Sequence, residues 1–190
     1  MHETQKKTIV LKTGVRSRSG AFTVRRTARY PPHRLLKLLF VWLSHAGSSY
    51  YTIDSNVFFD ADGFKMDYGG HGSKFTSNLV LTKPSNGDCI GLANMEPGHG
   101  DEYSNNTCAL ICASSGAKSS VGHISQCDPA ENIMHDNTYF TPTGKGTLGG
   151  CGDTPIEKLF AKDNMEKDSK VEKMPPDAEL VGFAKAWLGL

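Results

Sequence analysis

The chain has 190 residues, 38% of them hydrophobic, with 20 glycines and a formal net charge of +1 at pH 7, which leaves room for one ordinary domain with an appendage. That near-neutral total hides an asymmetry: residues 1–46 hold ten Lys or Arg and one acidic residue, a net +9, whereas the rest hold eleven and nineteen, a net −8. A basic segment ahead of an acidic body excludes a nucleic-acid surface as the first reading, because such a surface is normally carried by the folded part itself.

The basic segment has an internal order. "RRTARYPPHR" precedes the apolar run "LLKLLFVWL", and "SHAG" follows with Ser44 and Ala46 in a small-x-small arrangement. This is the order of a secretory signal or signal anchor, so residues 1–46 are read as a signal-like basic leader, the alternatives being a disordered basic tail or a wrongly assigned start. The apolar run is too short to cross a bilayer as a helix, and no transmembrane span is expected. Five cysteines, Cys89, Cys108, Cys112, Cys127 and Cys151, suit an exported chain with up to two disulfides and one thiol. Their spacing has neither CxxC nor a zinc-finger pattern, which sets structural zinc aside. The expected location is therefore secreted or cell-surface.

Residues 47–152 repeat themselves. "GGHGSKFTSN" at 69–78 returns as "PGHGDEYSNN" at 97–106, and the wider alignment sets Gly63 on Gly91, His71 on His99 and Phe75 on Tyr103. A looser frame, apolar-x-x-Asn-x-apolar, recurs around Asn56, Asn78, Asn106 and Asn137, each Asn leading into a short β-rich run such as "VFF" or "LVL". Punctuation at such periods marks a solenoid of stacked coils. The Asn tolerates left-handed backbone, and its amide can bond its equivalents above and below.

On these residues the chain resembles right-handed parallel β-helix proteins, the pectate-lyase-like and polygalacturonase-like superfamily. The expected fold is all-β: a short right-handed parallel β-helix of about four coils, with loops inserted in the second and third. An antiparallel β-sandwich is the alternative. Residues 153–190 turn charged and helical. "TPIEKLFAK" offers Thr154 as N-cap, Pro155 at the first helical position and Glu157 in a capping box, and Leu180, Val181, Ala184, Trp187 and Leu188 fall at helical spacing. The two segments are read as a helical cap over the last coil's open edge, with nothing visible over the first.

Candidate chemistry centres on the repeated "GHG". Stacking in register would set His71 and His99 one coil apart, with Asp67, Asp101 and Glu102 nearby, a set able to act as general acid or base near neutral pH. "GHG" is also similar to one polygalacturonase motif, and "GDCIGL" to that group's acidic strand. Asp88 stands alone, however, where the group has two adjacent acids, and inverting hydrolysis needs a paired acid and base. The catalytic candidates are accordingly His71, His99, Asp88 and Asp101. A lyase of the pectate type would require a calcium cage, for which Asp60, Asp62, Asp67 and Asp88 are the available acids; no other cofactor is expected. Tyr68, Tyr103 and Asp67 are candidate ligand contacts, with Tyr50, Tyr51 and Tyr139 as further aromatics that could stack on sugar rings. Asn105 heads an "NNT" sequon. The functional expectation is a glycan-interacting secreted or surface domain without demonstrated catalysis, the enzyme question being left open. Its alternatives are a polysaccharide lyase or glycosidase on the same fold, and a structural or adhesive repeat module.

Overall fold

A computed structural model of the chain describes residues 13–17, 20–24, 49–61, 63–66, 70–82, 88–93, 98, 100–111, 120–125, 132–163, 165–187 and 189. Two strands come first, β1 (Thr13–Ser17) and β2 (Gly20–Val24). Strands then recur in trios. The first trio is β3 (Thr52–Asp54), β4 (Val57–Ala61) and β5 (Phe64–Met66); the second is β6 (Lys74–Thr76), β7 (Leu79–Thr82) and β8 (Ile90–Leu92). The third is β9 (Asp101–Ser104), β10 (Thr107–Ala109) and β11 (Ser120–Ile124), and the fourth is β12 (Asn132–His135), β13 (Thr138–Thr141) and β14 (Thr147–Gly149). The chain finishes with β15 (Thr154–Pro155), α1 (Ile156–Asp163), β16 (Lys170–Lys173) and α2 (Asp177–Trp187).

Each trio gives one strand to each of three sheets, ordered β12-β9-β6-β3-β1-β2, β16-β13-β10-β7-β4 and β15-β14-β11-β8-β5. Within the trios every pairing is parallel, each strand lying beside its counterpart one trio away. The protein is thus mostly β with stacked parallel sheets, an arrangement compatible with a parallel β-helix and incompatible with the antiparallel sandwich. The 28-residue frame holds in the first two sheets, where Phe75 aligns with Tyr103 and Leu79 with Thr107. It slips in the third, where Phe64 aligns with Ile90 and Lys65 with Gly91. Gly63 therefore lies against Cys89 and not Gly91; its N–H donates to the Asp88 carbonyl at 2.7 Å, and a Cβ there would stand 1.8 Å from the Cys89 carbonyl oxygen. The slip arises because the extra residues fall between the second and third sheets, where 62–63 of the first trio become 83–89 and 110–119.

The corner between the first two sheets is what repeats most faithfully. Asn56, Asn78, Asn106 and Asn137 are all buried. Asn78 Oδ1 accepts from the Asn56 backbone N–H at 2.9 Å and from Asn56 Nδ2 at 3.2 Å, and Asn106 and Asn137 do the same for the coil before them. Each Nδ2 also donates to a carbonyl of the preceding strand, Asn78 to Ile53 and Asn106 to Phe75. The left-handed residue is the one before each Asn: Ser55, Ser77, Asn105 and Asp136 have φ between 53° and 58°. The Asn was expected to tolerate that backbone itself; instead its side chain satisfies the corner while its neighbour takes the strain. Asp168, with φ 59°, and Ser169 repeat the corner a fifth time with a hydroxyl in place of the amide, Ser169 Oγ accepting from the Asn137 N–H at 2.9 Å.

Inside the three sheets runs an apolar core in which Ile53, Phe75, Tyr103 and Met134 line the first sheet and Val80, Cys108 and Tyr139 the second. The rings of Phe75 and Tyr103 stack in parallel planes with centroids 5.5 Å apart. Cys89 and Cys108 form a disulfide in this core, tying the second trio to the third, and Cys151 is disulfide-bonded as well. These bonds are compatible with an extracellular protein. No helix among the described residues is long and apolar enough to cross a membrane.

The ends and outer walls differ from expectation in three ways. The hairpin of β1 and β2 pairs antiparallel with β3, so part of the basic leader covers the edge of the first sheet that was expected to stand open; its apolar run, residues 35–43, lies outside the described residues. Thr154 and Pro155 form a short strand against β14, with Thr154 Oγ1 bonded to the Cys151 carbonyl and not to the helix, and α1 begins at Ile156. Thirdly, α1 sinks Ile156 and Leu159 into the main core, whereas α2 lies on the outer face of the second sheet, packing Leu180, Phe183 and Ala184 with Leu79, Leu81, Ala109 and Phe140. Val181 is 49% and Trp187 36% exposed, and Leu188 lies outside the described residues. This outer packing explains the unbroken apolar run of β7, whose alternate side chains are covered on both faces.

Two stability predictions follow from this architecture. Leu180→Ala should cost about 2–4 kcal/mol in urea unfolding while Val181→Ala costs under ~0.5 kcal/mol; equal effects would mean that α2 docks through a different face. Asn106→Ala strands the Asn78 N–H and the Phe75 carbonyl and should cost about 3 kcal/mol, whereas Ser55→Gly, which relaxes a left-handed residue and removes an exposed hydroxyl bond to Asp54, should be neutral or stabilising by up to ~1 kcal/mol.

Candidate functional site

The lead-in to β6 gathers the chemistry. Gly72 has φ 62°, and a Cβ on it would come within 2.8 Å of the Tyr50 ring, so glycine is needed there for both shape and space. The turn presents His71 to Ser49 and Tyr50 of the coil below. His71 N–H donates to Ser49 Oγ at 3.2 Å, its Nδ1 lies 3.2 Å from the same oxygen, and its Nε2 lies 3.3 Å from the Tyr50 hydroxyl. In a neutral imidazole one ring nitrogen donates and the other accepts, so the two hydroxyls take complementary roles. Tyr50 meets the imidazole edge-on at 5.2 Å and holds φ 63°, a conformation a bulky side chain adopts only when its surroundings enforce it.

One residue further in lies Asp101, 1% exposed, at the start of β9. Its Oδ1 accepts from the Ser73 N–H at 2.7 Å, while its Oδ2 is buried without a hydrogen-bond partner among the described residues. Burial raises the Asp101 pKa to about 6, against the opposing pull of the Ser73 bond and the charge of His71. Burial thus favours the neutral form of this carboxyl, and the charge of His71 opposes that shift. Along the stack it occupies a polar column, with Ser73 before it, receiving the Tyr51 N–H on its hydroxyl, and Asn132 after it in register.

The outer face of the first sheet carries two rows of side chains, polar except at Ile133. Thr52, Lys74, Glu102 and Ile133 stand in one register, and Asp54, Thr76, Ser104 and His135 in the next. Lys74 pairs with Glu102, Ser104 Oγ donates to Glu102 at 2.9 Å, Thr76 donates to Asp54 at 2.8 Å, and His135 Nδ1 bonds Asp136 at 2.7 Å. Burial by itself would raise the Glu102 pKa, but the bonds from Lys74 and Ser104 and the charges of Lys74 and His135 hold it below the usual range.

The structure sets Asp101 against Ser73, two residues along the chain from His71. Asp88 it places elsewhere, half-exposed beside β8 on the third sheet, so Asp88 does not converge with them. His99, Asp67, Tyr68 and Asp62 lie outside the described residues, as does the side chain of Asp60. Tyr103 is a correction: it is fully buried with its ring stacked on Phe75, and so offers no face to a ligand. Tyr139 is buried too, leaving Tyr50 exposed and Tyr51 half-buried. Asn105 is exposed at its corner. No grouping of three or more His, Cys, Asp or Glu suited to a metal ion occurs among the described residues.

Sequence reading missed Glu166. It is 2% exposed and accepts from the Tyr139 hydroxyl at 2.5 Å and from Asn137 Nδ2 at 3.2 Å. Burial raises its pKa, opposed by bonds from Ser169, Tyr139 and Asn137 and by the charge of His135. The available signal was "KDS" at 167–169, a fifth corner with Ser where the frame demands Asn. Comparison with known protein families, with curated proteins and with solved structures finds no match.

Asp101 makes stability depend on pH with a defined sign. Its folded pKa, about 6, lies above the ordinary value of 3.8, so the stabilisation it gives is complete below the ordinary value and is lost as pH rises through 6. Asp101→Asn mimics the protonated acid, keeps the acceptor for Ser73 and should flatten this part of the profile. Urea midpoints of wild type and variant between pH 4 and 7.5 test it, and parallel profiles would remove Asp101 as the titrating group.

Proposed function

We propose that the chain is an exported right-handed parallel β-helix of about four coils that binds a polysaccharide or surface glycan along the outer face of its first sheet, without chemistry of its own. The observation that carries this reading is the double row of hydrogen-bonding side chains on that face. Neighbouring strands lie about 4.8 Å apart, so Asp54, Lys74, Thr76, Glu102 and His135 repeat donors and acceptors at a short, regular pitch across four strands. A chain of hydroxylated rings lying across the strands suits that pattern, and the exposed Ile133 and Tyr50 give apolar area for ring faces. The strip mixes both charge signs, which favours a neutral or weakly acidic glycan over a polyanion.

A second reading has its own support. Asp101, set against Ser73 two residues along from His71, keeps one buried carboxyl oxygen without a hydrogen-bond partner among the described residues, and is the group a lyase or glycosidase on this fold would draw on. A hydrolase needs a second carboxyl across the bond, and Asp88 stands on another sheet.

Binding to neutral and uronate-containing polysaccharides, with and without calcium, separates the two when new reducing ends and unsaturated uronates are followed in the same samples. The expected outcome is binding without cleavage, weakened about tenfold, or ~1.4 kcal/mol, in a Lys74→Ala, Thr76→Ala double variant that unfolds like wild type. Cleavage abolished by Asp101→Asn would favour the enzyme. A well-folded sample that binds no glycan, or a double variant that binds as wild type does, would end the proposal for this face.

A further inference from the structure

We infer that Asn105 is the attachment point of an N-linked glycan, an inference that rests on the exported reading above. The chain contains one Asn-x-Ser/Thr sequence, Asn105-Asn106-Thr107; no other Asn is followed two places on by Ser or Thr. It falls on the third-trio corner, where the two adjacent asparagines have opposite fates. Asn106 is 2% exposed and its amide is committed to Phe75, Asn137 and the Asn78 N–H. Asn105 points outward, exposed, at φ 53°.

The register of the repeat thus places the acceptor nitrogen in solvent and leaves the ladder to its neighbour. Asn105 Nδ2 donates to Ser77 Oγ at 3.1 Å. An N-linked amide retains one N–H, so that bond survives modification. In the transfer, a bond forms between Asn105 Nδ2 and the anomeric carbon of an oligosaccharide carried on a lipid diphosphate. The anomeric C–O bond breaks, its electron pair leaves on the diphosphate, and one amide proton is lost to base.

The position also has a consequence for the folded protein. Ser104, next to Asn105, ends a strand of the polar face, and Ser77, the corner one coil earlier, accepts from Trp187 Nε1 of α2 at 3.1 Å. A glycan at Asn105 would stand on the ridge between the first sheet's polar face and the helix, bounding that face on one side.

The full chain, secreted from cultured eukaryotic cells under its own N-terminus with a C-terminal tag that carries a second sequon as reporter, tests the inference by mass before and after N-glycosidase treatment. Two enzyme-sensitive mass steps are expected, reduced to one in Asn105→Gln and in Asn105→Gly and retained in Thr107→Ser. Asn105→Gly keeps a residue suited to positive φ, so loss of a step in it is not a folding failure. A glycan on the reporter alone would overturn the assignment of Asn105. No glycan on either sequon would mean that the chain does not enter the secretory route, which overturns the exported reading and the assignment with it.

Discussion

A buried column of carboxamides holds the stack at a fixed pitch. At the corner between the first two sheets the backbone turns away from both ladders, and its N–H groups would be stranded in the interior at a cost comparable to a lost hydrogen bond each. One Asn per coil meets that cost in two directions: Oδ1 takes the backbone and side-chain donors of the coil before, and Nδ2 reaches a carbonyl of that coil and the amide of the next. The geometry works only if successive corners are offset by one strand spacing. It is indifferent to how much chain intervenes, and separations of 22, 28 and 31 residues are all accommodated. Loop length is therefore free to vary between the second and third sheets while the first two sheets stay in register.

The column also has a direction. Its amide donors run toward the C-terminal end, where Asn137 Nδ2 meets the carboxyl of Glu166 and the Asn137 N–H meets Ser169. At the other end Asn56 Oδ1 is buried without a partner among the described residues. Hydrogen bonds in a row polarise one another in a low-dielectric interior, so an acceptor carboxyl at the donor end is where such a row terminates best. Glu166 also takes the Tyr139 hydroxyl, which joins the amide column to the apolar core.

The Asn frame was legible because hydrogen-bonding chemistry at a corner tolerates few residue types, and so leaves an imprint on the sequence at each coil. The fifth corner escaped notice because a serine hydroxyl replaces one of the two things the amide does. The destination of α2 was not legible for a different reason. Leu180 and Val181 are equally apolar, and which of them is buried depends on the outer surface of β7, β10 and β13, which no local periodicity in the helix encodes. The same ambiguity hid the fate of Tyr103. A tyrosine beside a polar turn reads as a ligand contact, yet period-two alternation along β9 sends it inward, level with Phe75. His71 and Asp101 were legible as neighbours through the repeat, since the frame that aligns Phe75 with Tyr103 also sets Ser73 against Asp101.

The two buried acids among the described residues show how the same cost is met differently. Glu166 has hydrogen-bond donors from Tyr139, Asn137 and Ser169 around it and sits where a polar column must end, so its burial is answered by structure. Asp101 has the Ser73 N–H on one oxygen and nothing among the described residues on the other. A carboxyl satisfied on one side only is a poor stabiliser, because removing it from water is not offset. Its retention beside a histidine held by two hydroxyls, in a turn where Tyr50 accepts a left-handed backbone, puts local strain and incomplete solvation at one place. Strain of that kind is usually kept where it serves a purpose other than stability. The polar face of the first sheet makes no such sacrifice: its Lys74–Glu102 and Thr76–Asp54 pairs are exposed and cheaply satisfied. That face asks nothing of the fold, whereas Asp101 keeps a buried carboxyl oxygen without a hydrogen bond among the described residues.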